Sequence, residues 1–341
     1  METPIRTYNL CLLGFGNVNR TLVQLLQKKA GELQERGIPW RITGVATRRM
    51  GWMADANGLD TDALLGGTTP ASSRAGAPAL HDVRDWLKAA RADVLFEATS
   101  LSLQDGQPAI DHIRTALELG AHAITANKGA IVHAYEELRS LADAKGKRFL
   151  FEATVMDGVP LFALFRENLP VVQLREFRGV LNSTTNVILS GMEEGLSFEQ
   201  SLKRAQEIGV AETDPTHDID GWDAAVKVTA LVRVLMGVPI RLDEIEREGI
   251  GKLSGEVVRA ARAAGTPYKL VCGAERDGVR VRASVRPEQV PLSDPLSGVT
   301  GTSSIVCFET DIFPGLTITE NNPGLEATAY GMLADFVRAV A

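Results

Sequence analysis

The chain has 341 residues, of which 45% are hydrophobic and 23% are charged, and its formal net charge is -7. This length and composition predict a globular protein of two domains with a sizeable core. The negative charge and the lack of a long Lys/Arg run argue against nucleic acid or an anionic membrane surface as the main partner.

The three cysteines, Cys11, Cys272 and Cys307, are scattered and form no metal-ligand or redox motif. We expect them to be core residues of a reduced, cytoplasmic protein. No apolar run reaches the length of a membrane span, and the N-terminus lacks the basic-then-apolar pattern of a signal peptide. The sequence therefore predicts no membrane partner.

A dinucleotide-binding turn is predicted near the N-terminus. An apolar run over residues 9–14 ends in Gly14-Phe-Gly16-Asn17-Val18-Asn19, and a helical pattern then continues to about residue 36. In this context Gly14 permits the tight turn, and Gly16 lets the backbone approach a pyrophosphate at the helix N-terminus. Asn19 stands where the third glycine is expected, so a plain strand–turn–helix remains the alternative.

Two arginines, Arg48 and Arg49, follow a second predicted strand over residues 41–47. An acidic residue at this point often holds the ribose of NAD, whereas arginine suits the 2′-phosphate of NADP. The pattern favours NADP(H) over NAD(H), with a solvated basic turn as the alternative. Residues 50–90 are loop-rich and carry little information.

Three further apolar runs, residues 93–99, 121–127 and 148–154, predict the remaining strands of a nucleotide-binding sheet, with a helix near residues 108–119. Thr99 and Ser100 end the first run, and Lys128 follows the second. Open α/β sheets bind ligands beyond the carboxyl ends of their strands, which makes these three residues candidates for coenzyme binding. For Lys128 the alternative is a surface lysine at a helix start.

The second half of the chain opens with a strand pattern over residues 171–181 that leads into Asn182-Ser-Thr-Thr-Asn. Helices are predicted over residues 198–208 and 222–236. Beyond Tyr268, alternating apolar residues predict antiparallel strands that complete a mixed sheet. An amphipathic helix is predicted at residues 324–341.

A carboxylate-rich segment connects the two predicted helices. Glu212 to Asp220 are expected to form an ordered loop, with Asp220 as the N-cap of the following helix. On that helix Asp223 and Lys227 stand four residues apart and share one face, so their charged ends can reach the same small molecule. The alternative is an ordinary ion pair on a capped helix.

The segment from Ala205 to Lys227 resembles the signature of homoserine dehydrogenases. The matching positions are Ala205, Gly209, Glu212, Asp214, Pro215, Asp218, Gly221, Asp223 and Lys227. The Ala-Asn-Lys at Lys128 and the segment after Asn182, where Ser183 replaces a family glycine, resemble the same family.

The resemblance implies an α/β chain with two domains. Residues 1–150 would form a Rossmann-type nucleotide-binding domain completed by residues 324–341, and residues 151–323 an α+β catalytic and dimerisation domain with a mixed sheet. The implied reaction is NAD(P)H-dependent interconversion of L-aspartate 4-semialdehyde and L-homoserine by a homodimer. Lysine acid/base catalysis is assigned to Lys227, with Lys128 close to the same oxygen.

The resemblance also implies the rest of the site. The amino-acid substrate is expected to contact Glu212, Asp218 and Asp223, and the coenzyme to contact Gly209 and Gly324 as well as the residues named above. A structural Na⁺ or K⁺ ion is expected at the positions matching the family's ligands, which are Glu152, Val155, Asp157 and Val159. Oxygen-only ligation suits such a hard cation.

The clearest departure from the family lies at Glu320-Asn-Asn-Pro-Gly324, where only Gly324 matches a glycine-rich loop. Two alternatives therefore stay open, a related dehydrogenase for another amino-acid aldehyde or alcohol and a non-catalytic ligand-binding paralogue. An acylating semialdehyde dehydrogenase is disfavoured because it needs a cysteine nucleophile in the cleft.

Overall fold

The computed structural model describes residues 6–67 and 80–341. It divides into two compact units, Met1–Pro160 with Gly324–Ala341, and Leu161–Pro323. Residues 151–160 thus belong to the first unit, whereas the sequence placed the domain boundary before them. Within the described residues, no helix is both long and apolar enough to cross a membrane.

The first unit is built on six strands and seven helices among its described residues. The strands are β1 (Tyr8–Leu13), β2 (Trp40–Thr47), β3 (Gly51–Ala54), β4 (Val94–Glu97), β5 (His122–Thr125) and β6 (Phe149–Leu150). Its helices are α1 (Asn17–Lys28), α2 (Ala30–Glu35), α3 (Thr61–Leu65), α4 (Val83–Ala89), α5 (Ala109–Glu118), α6 (Gly129–Ala144) and α13 (Leu325–Val340).

The sheet of the first unit has the order β3-β2-β1-β4-β5-β6. All neighbours are parallel except β3, which pairs antiparallel with β2 at the edge. The central strands are apolar and buried, as expected for a sheet covered on both faces. This order confirms the Rossmann-type prediction and brings the carboxyl ends of β1, β4 and β5 to one edge.

Several predicted elements differ in detail. The helix predicted to residue 36 is two helices, α1 and α2, and the stretch predicted as loop-rich contains β3, α3 and α4. Residues 68–79 of that stretch lie outside the described residues. The strand predicted over residues 148–154 was wrong in length, because β6 ends at Leu150 and a 3₁₀ turn follows over Glu152–Thr154.

The C-terminal helix α13 packs against α1 and closes the core of the first unit. Phe336 on this helix is fully buried, and its ring meets those of Tyr8 and Phe96 edge-on at centroid distances of 6.0 Å. Apolar burial of this kind is the main stabilising term for a docked terminal helix.

The second unit contains the remaining strands and helices. Its strands are β7 (Leu174–Val180), β8 (Glu246–Arg247), β9 (Tyr268–Asp277), β10 (Arg280–Gln289), β11 (Ser304–Thr310) and β12 (Leu316–Glu320). Its helices are α7 (Leu161–Ala163), α8 (Ser183–Glu193), α9 (Phe198–Glu207), α10 (Thr216–Ile219), α11 (Trp222–Leu231) and α12 (Gly255–Ala263).

The sheet of the second unit has the order β12-β11-β7-β9-β10-β8. Its neighbours are antiparallel except β8, which runs parallel to β10. This arrangement confirms the predicted mixed sheet. The predicted helix over residues 222–236 is α11 followed by a π-helical turn at Val232–Met236.

Candidate active site

The turn between β1 and α1 has the geometry of a phosphate-binding turn. Gly14 has φ +78°, and a Cβ at this position would lie 2.4 Å from the Ala98 carbonyl oxygen. Gly16 is the N-cap of α1, and a Cβ there would meet nothing within 4 Å. Asn17 and Val18 begin the helix without a side-chain cap or an acidic residue in the first turn. Free N–H groups beside open space suit an anionic pyrophosphate.

Asn19 replaces the third glycine of the fingerprint and folds back on the turn. Its side-chain amide donates to the carbonyl oxygens of Gly14 at 2.6 Å and Leu13 at 3.3 Å. The side chain is fully buried, and its Oδ1 has no hydrogen-bond partner among the described residues. The Asn19 side chain therefore binds the carbonyl groups of the turn and fills the space that a glycine would leave empty.

Arg48 and Arg49 lie in the turn that connects β2 to β3, and both are exposed. The Thr47 hydroxyl accepts a hydrogen bond of 2.8 Å from the Met50 backbone N–H, which shapes the turn. Arg48 and Arg49 thus lie just after the carboxyl end of β2, where residues of such sheets bind the ribose of a dinucleotide.

Beyond β4 and β5, two loops lie side by side. The Asn127 amide donates to the carbonyl oxygens of Thr99 at 3.2 Å and Ser100 at 3.3 Å. Lys128 occupies the N-cap position of α6, and the next residue, Gly129, donates its backbone N–H to Asn127 Oδ1 at 2.9 Å. The structure therefore brings the predicted residues Thr99, Ser100 and Lys128 into one network at the same sheet edge.

The predicted cation ligands lie on the 3₁₀ turn after β6 and the loop that follows. The Glu152 side chain is 1% exposed and faces Arg338 of α13, with an Nη1–Oε2 distance of 3.5 Å. The Glu152 backbone N–H donates to Asp335 at 2.7 Å. Asp157 has φ +44°, and its carboxylate accepts a hydrogen bond of 2.5 Å from Thr328.

The described residues include no cluster of three or more His, Cys, Asp or Glu side chains that could hold a metal ion. A cation at this loop would therefore use the Glu152 carboxylate and the carbonyl oxygens of Val155, Asp157 and Val159. One carboxylate with several carbonyls is a donor set that fits a hard monovalent cation, although Arg338 shares the same carboxylate.

Four polar side chains meet in the second unit. The Asn182 amide donates to Asp218 at 2.6 Å and to Asp223 at 3.1 Å. The Lys227 ammonium lies 3.2 Å from the Asp223 carboxylate and donates to the Leu181 carbonyl at 2.6 Å. We call Asn182, Asp218, Asp223 and Lys227 the polar cluster.

The polar cluster is largely shielded from water. The Lys227 and Asp223 side chains are 15% and 20% exposed. Burial raises the pKa of Asp218, and the nearby Asp223 carboxylate raises it further, while hydrogen bonds from Asn182 and Thr184 lower it. An ammonium group between a carboxylate and a carbonyl, with a second carboxylate near, can bind a small amino acid and move a proton.

Asn182 was not among the predicted site residues, although it begins the segment that resembled the family. It caps α8, because its Oδ1 accepts from the Thr185 backbone N–H at 2.9 Å. Its amide nitrogen is thereby directed to the two aspartates. The sequence feature that could have identified Asn182 is its position between β7 and α8, where a strand is followed by a helix.

Glu212 is exposed, and its backbone carbonyl accepts a hydrogen bond of 3.2 Å from the Gln206 side chain. Gly209 follows the C-cap residue of α9, Ile208, and has φ +76°. Gly324 is the N-cap of α13 with open space at its Cα. The structure thus gathers Asp218, Asp223 and Lys227 but leaves Glu212 at the surface.

The predicted N-cap at Asp220 was wrong. A short helix, α10, occupies part of the predicted loop, and Asp220 ends it. The N-cap of α11 is Gly221, which has φ +80° and would place a Cβ 3.3 Å from Val285. A left-handed residue in tight packing favours glycine here, so the capping residue lies one position further along the chain.

Two family models match most of the chain. Residues 160–337 match the homoserine dehydrogenase model, and residues 14–152 match the NAD-binding domain of homoserine dehydrogenase. The chain belongs to the homoserine dehydrogenase family. The polar cluster lies within the first matched region, and the glycine turn and the two loops beyond β4 and β5 lie within the second.

Individual homoserine dehydrogenases match over nearly their full length. The NAD(+)-dependent homoserine dehydrogenase of Pseudomonas canavaninivorans is 34% identical, covering 97% of this chain and 95% of the relative. The enzyme of Methanocaldococcus jannaschii is 33% identical, covering 96% and 97%. A putative homoserine dehydrogenase of Archaeoglobus fulgidus has a similar structure, with a TM-score of 0.85, 29% identity and coverage of 98% and 99%.

A solved structure of a hyperthermophilic archaeal homoserine dehydrogenase mutant in complex with NADPH is also similar. Its TM-score is 0.81 at 26% identity, and 98% of each chain is covered. This chain is accordingly a homoserine dehydrogenase, an oxidoreductase with a nucleotide-binding domain of the Rossmann type.

Proposed function

We propose that this homoserine dehydrogenase uses Lys227 as its acid/base residue, with Lys128 contributing near the same substrate oxygen. The observation that carries the proposal is the shielded polar cluster, in which the Lys227 ammonium lies 3.2 Å from Asp223. A bound nicotinamide coenzyme supplies the hydride to the aldehyde carbon, and Lys227 gives a proton to the resulting alkoxide oxygen. In the reverse direction Lys227 takes the hydroxyl proton of homoserine.

Substrate binding is assigned to Asp218 and Asp223, with Glu212 as a third carboxylate. Carboxylates match the ammonium and hydroxyl groups of homoserine. The hydrogen bonds from Asn182 to both aspartates support this assignment, since they fix the two carboxylates before the substrate arrives. Glu212 is exposed, so its part in binding requires the segment after α9 to turn its side chain toward the substrate.

Coenzyme binding is assigned to Gly14, Gly16, Asn17, Val18, Arg48, Arg49, Thr99, Ser100, Lys128, Gly209 and Gly324. We favour NADP(H) over NAD(H), because two exposed arginines at the end of β2 suit a 2′-phosphate. The relatives include both kinds by name, one NAD(+)-dependent enzyme and one bound to NADPH. The preference therefore rests on the arginines of this chain.

We also assign a structural Na⁺ or K⁺ ion to Glu152 and the carbonyl oxygens of Val155, Asp157 and Val159. The ion supplies positive charge beside a buried carboxylate and holds the loop after β6. A homodimer through the mixed sheet of the second unit and a cytoplasmic setting complete the proposal. The cytoplasmic setting is supported by three free thiols, Cys11, Cys272 and Cys307.

The test is homoserine-dependent reduction of NADP⁺ and NAD⁺ at alkaline pH, followed by absorbance of the reduced nicotinamide. The parent is compared with a variant carrying Arg48→Ala and Arg49→Ala. We expect a higher kcat/KM with NADP⁺, and a loss of about 10–100-fold with NADP⁺ alone in the variant, as for one or two charged contacts. A higher kcat/KM with NAD⁺ in the parent, or an unchanged ratio in the variant, would contradict the coenzyme assignment.

A further inference from the structure

Glu97, the last residue of β4, is a buried carboxylate in an apolar strand. Its side chain is fully buried, as are Val94, Leu95 and Phe96 before it. Burying a carboxylate costs free energy that an apolar residue would avoid. An apolar side chain would therefore serve a purely structural position better, and the carboxylate needs another explanation.

Glu97 accepts hydrogen bonds from both loops at this sheet edge. Glu97 Oε1 accepts from the Thr99 backbone N–H at 2.8 Å and from the Thr99 hydroxyl. Glu97 Oε2 accepts from the Thr125 hydroxyl at 2.6 Å, and the Asn127 side chain also hydrogen-bonds to Glu97. Because these partners donate, the network suits an ionised carboxylate.

The network continues to Lys128. Thr125 Oγ1 donates to Glu97 and accepts from the Asn127 backbone N–H at 2.9 Å. Asn127 in turn binds the carbonyl oxygens of Thr99 and Ser100 and accepts from the Gly129 backbone N–H. The backbone on both sides of Lys128 is thus held by groups that Glu97 orders.

We infer that Glu97 is a positioning residue for the hydride-transfer reaction, which fixes the Asn127–Lys128 turn against the Thr99–Ser100 loop. Through this turn it sets the place of the Lys128 ammonium. The inference rests on the proposed role of Lys128 near the substrate oxygen. Burial is the larger effect and raises the pKa of Glu97, while the hydrogen bonds from Thr125 and Thr99 lower it.

The test is a double-mutant cycle between Glu97→Gln and Lys128→Ala, with Glu137→Gln as the matched control. Glutamine keeps the shape of Glu97 but replaces one acceptor oxygen with an N–H₂ donor, so the Thr125 hydroxyl loses its acceptor. Glu137 is a half-exposed glutamate on α6, the helix that Lys128 begins, and it pairs at the surface with Arg114. The Glu137→Gln change removes a carboxylate from the helix that follows Lys128 without touching the Glu97 network.

We expect Glu97→Gln to lower kcat about 10–100-fold, as misplacement of a reacting group does, with KM for homoserine changed by less than about threefold. In the Lys128→Ala background the same change should lower kcat by less than about threefold, because the group being positioned is gone. Glu137→Gln should match the parent. In hydrogen exchange, Glu97→Gln should speed exchange in peptides covering Thr99 and Asn127 but not in α13.

Equal losses of kcat in both backgrounds would overturn the inference while leaving the role of Lys128 intact. If Lys128→Ala keeps the parental kcat, the proposed role of Lys128 fails, and the positioning inference fails with it. Unchanged exchange at Thr99 and Asn127 in Glu97→Gln would overturn it independently of any activity measurement.

Discussion

Replacement of Lys227 tests the assignment of the acid/base residue most directly. Lys227→Met keeps the length and apolar stem of the side chain but removes the ammonium that donates to the Leu181 carbonyl and pairs with Asp223. Loss of a general acid/base group lowers kcat by about 10²–10⁴-fold. We expect a loss in this range for homoserine oxidation.

The effect of Lys227→Met on the free energy of unfolding should be smaller than its effect on the activation free energy of the reaction. A hydrogen bond from a charged donor contributes about 1.5–3 kcal/mol, and relief from burying the ammonium offsets part of this. The side chain is only 15% exposed, so both effects act nearly in full. We expect a net loss of about 1–2 kcal/mol, which for a domain of this size lowers Tm by about 2–8 °C.

Lys227→Arg separates proton transfer from charge. Arginine keeps the positive charge beside Asp223 but stays protonated throughout the working pH range, so it cannot transfer the proton. The rate loss should therefore match that of Lys227→Met, with a smaller change in Tm. The matched control is Lys252→Met, at a lysine whose side chain is 87% exposed.

The assay is steady-state kcat with thermal unfolding of each variant. If Lys227→Met or Lys227→Arg keeps more than about a tenth of the parental kcat, Lys227 is not the acid/base residue. If Lys252→Met loses as much activity as Lys227→Met, the effect is not specific to the polar cluster.

Three further predictions follow from individual contacts. Gly14→Ala should lower the free energy of unfolding by at least about 1–2 kcal/mol, because Gly14 has a left-handed backbone and its Cβ would meet the Ala98 oxygen. Gly16→Ala should keep the parental Tm but weaken coenzyme binding, measured by nicotinamide fluorescence. Equal Tm values for the two would contradict this geometry. Burial raises the pKa of Asp218 in the folded state, so the stability that this residue contributes falls as pH rises through that pKa. Asp218→Asn should therefore flatten the pH dependence of the free energy of unfolding, measured by chemical unfolding, and should raise KM for homoserine. A variant with parental pH dependence would exclude Asp218 as its source. Arg338→Gln should make Tm rise more steeply with added K⁺, because Glu152 then loses its arginine partner; an equal response in parent and variant would argue against a cation at Glu152.

The sequence predicted features that depend on local patterns. The strand, glycine turn and helix around Gly14 are close in the chain, and so is the i,i+4 pair of Asp223 and Lys227. Hydrophobic periodicity and fixed spacings carry this information. For this reason the sequence predicts the Rossmann-type unit, the mixed sheet and the lysine–aspartate pair.

Contacts between distant parts of the chain were not predictable in this way. β6 ends early because the Glu152 backbone N–H bonds to Asp335, which lies 183 residues further along. Asn182 meets Asp218 and Asp223 only after β7, α10 and α11 have packed. The N-cap at Gly221 is likewise set by packing against Val285 of β10. Each of these depends on a partner that local propensity does not identify.

Asn322, in the loop that departs from the family's glycine-rich loop, and Asn19, in place of the third fingerprint glycine, have different physical roles. Asn322 has φ +47°, and its backbone N–H donates to the Ser303 hydroxyl at 3.0 Å. Asparagine is the side chain that tolerates this left-handed region best after glycine, so the turn is kept. Asn19 instead lies inside α1, where no positive φ is needed, and its amide holds the carbonyl oxygens of Leu13 and Gly14. Both asparagines are therefore compatible with intact turns, and a decayed, non-catalytic chain is not needed to explain them.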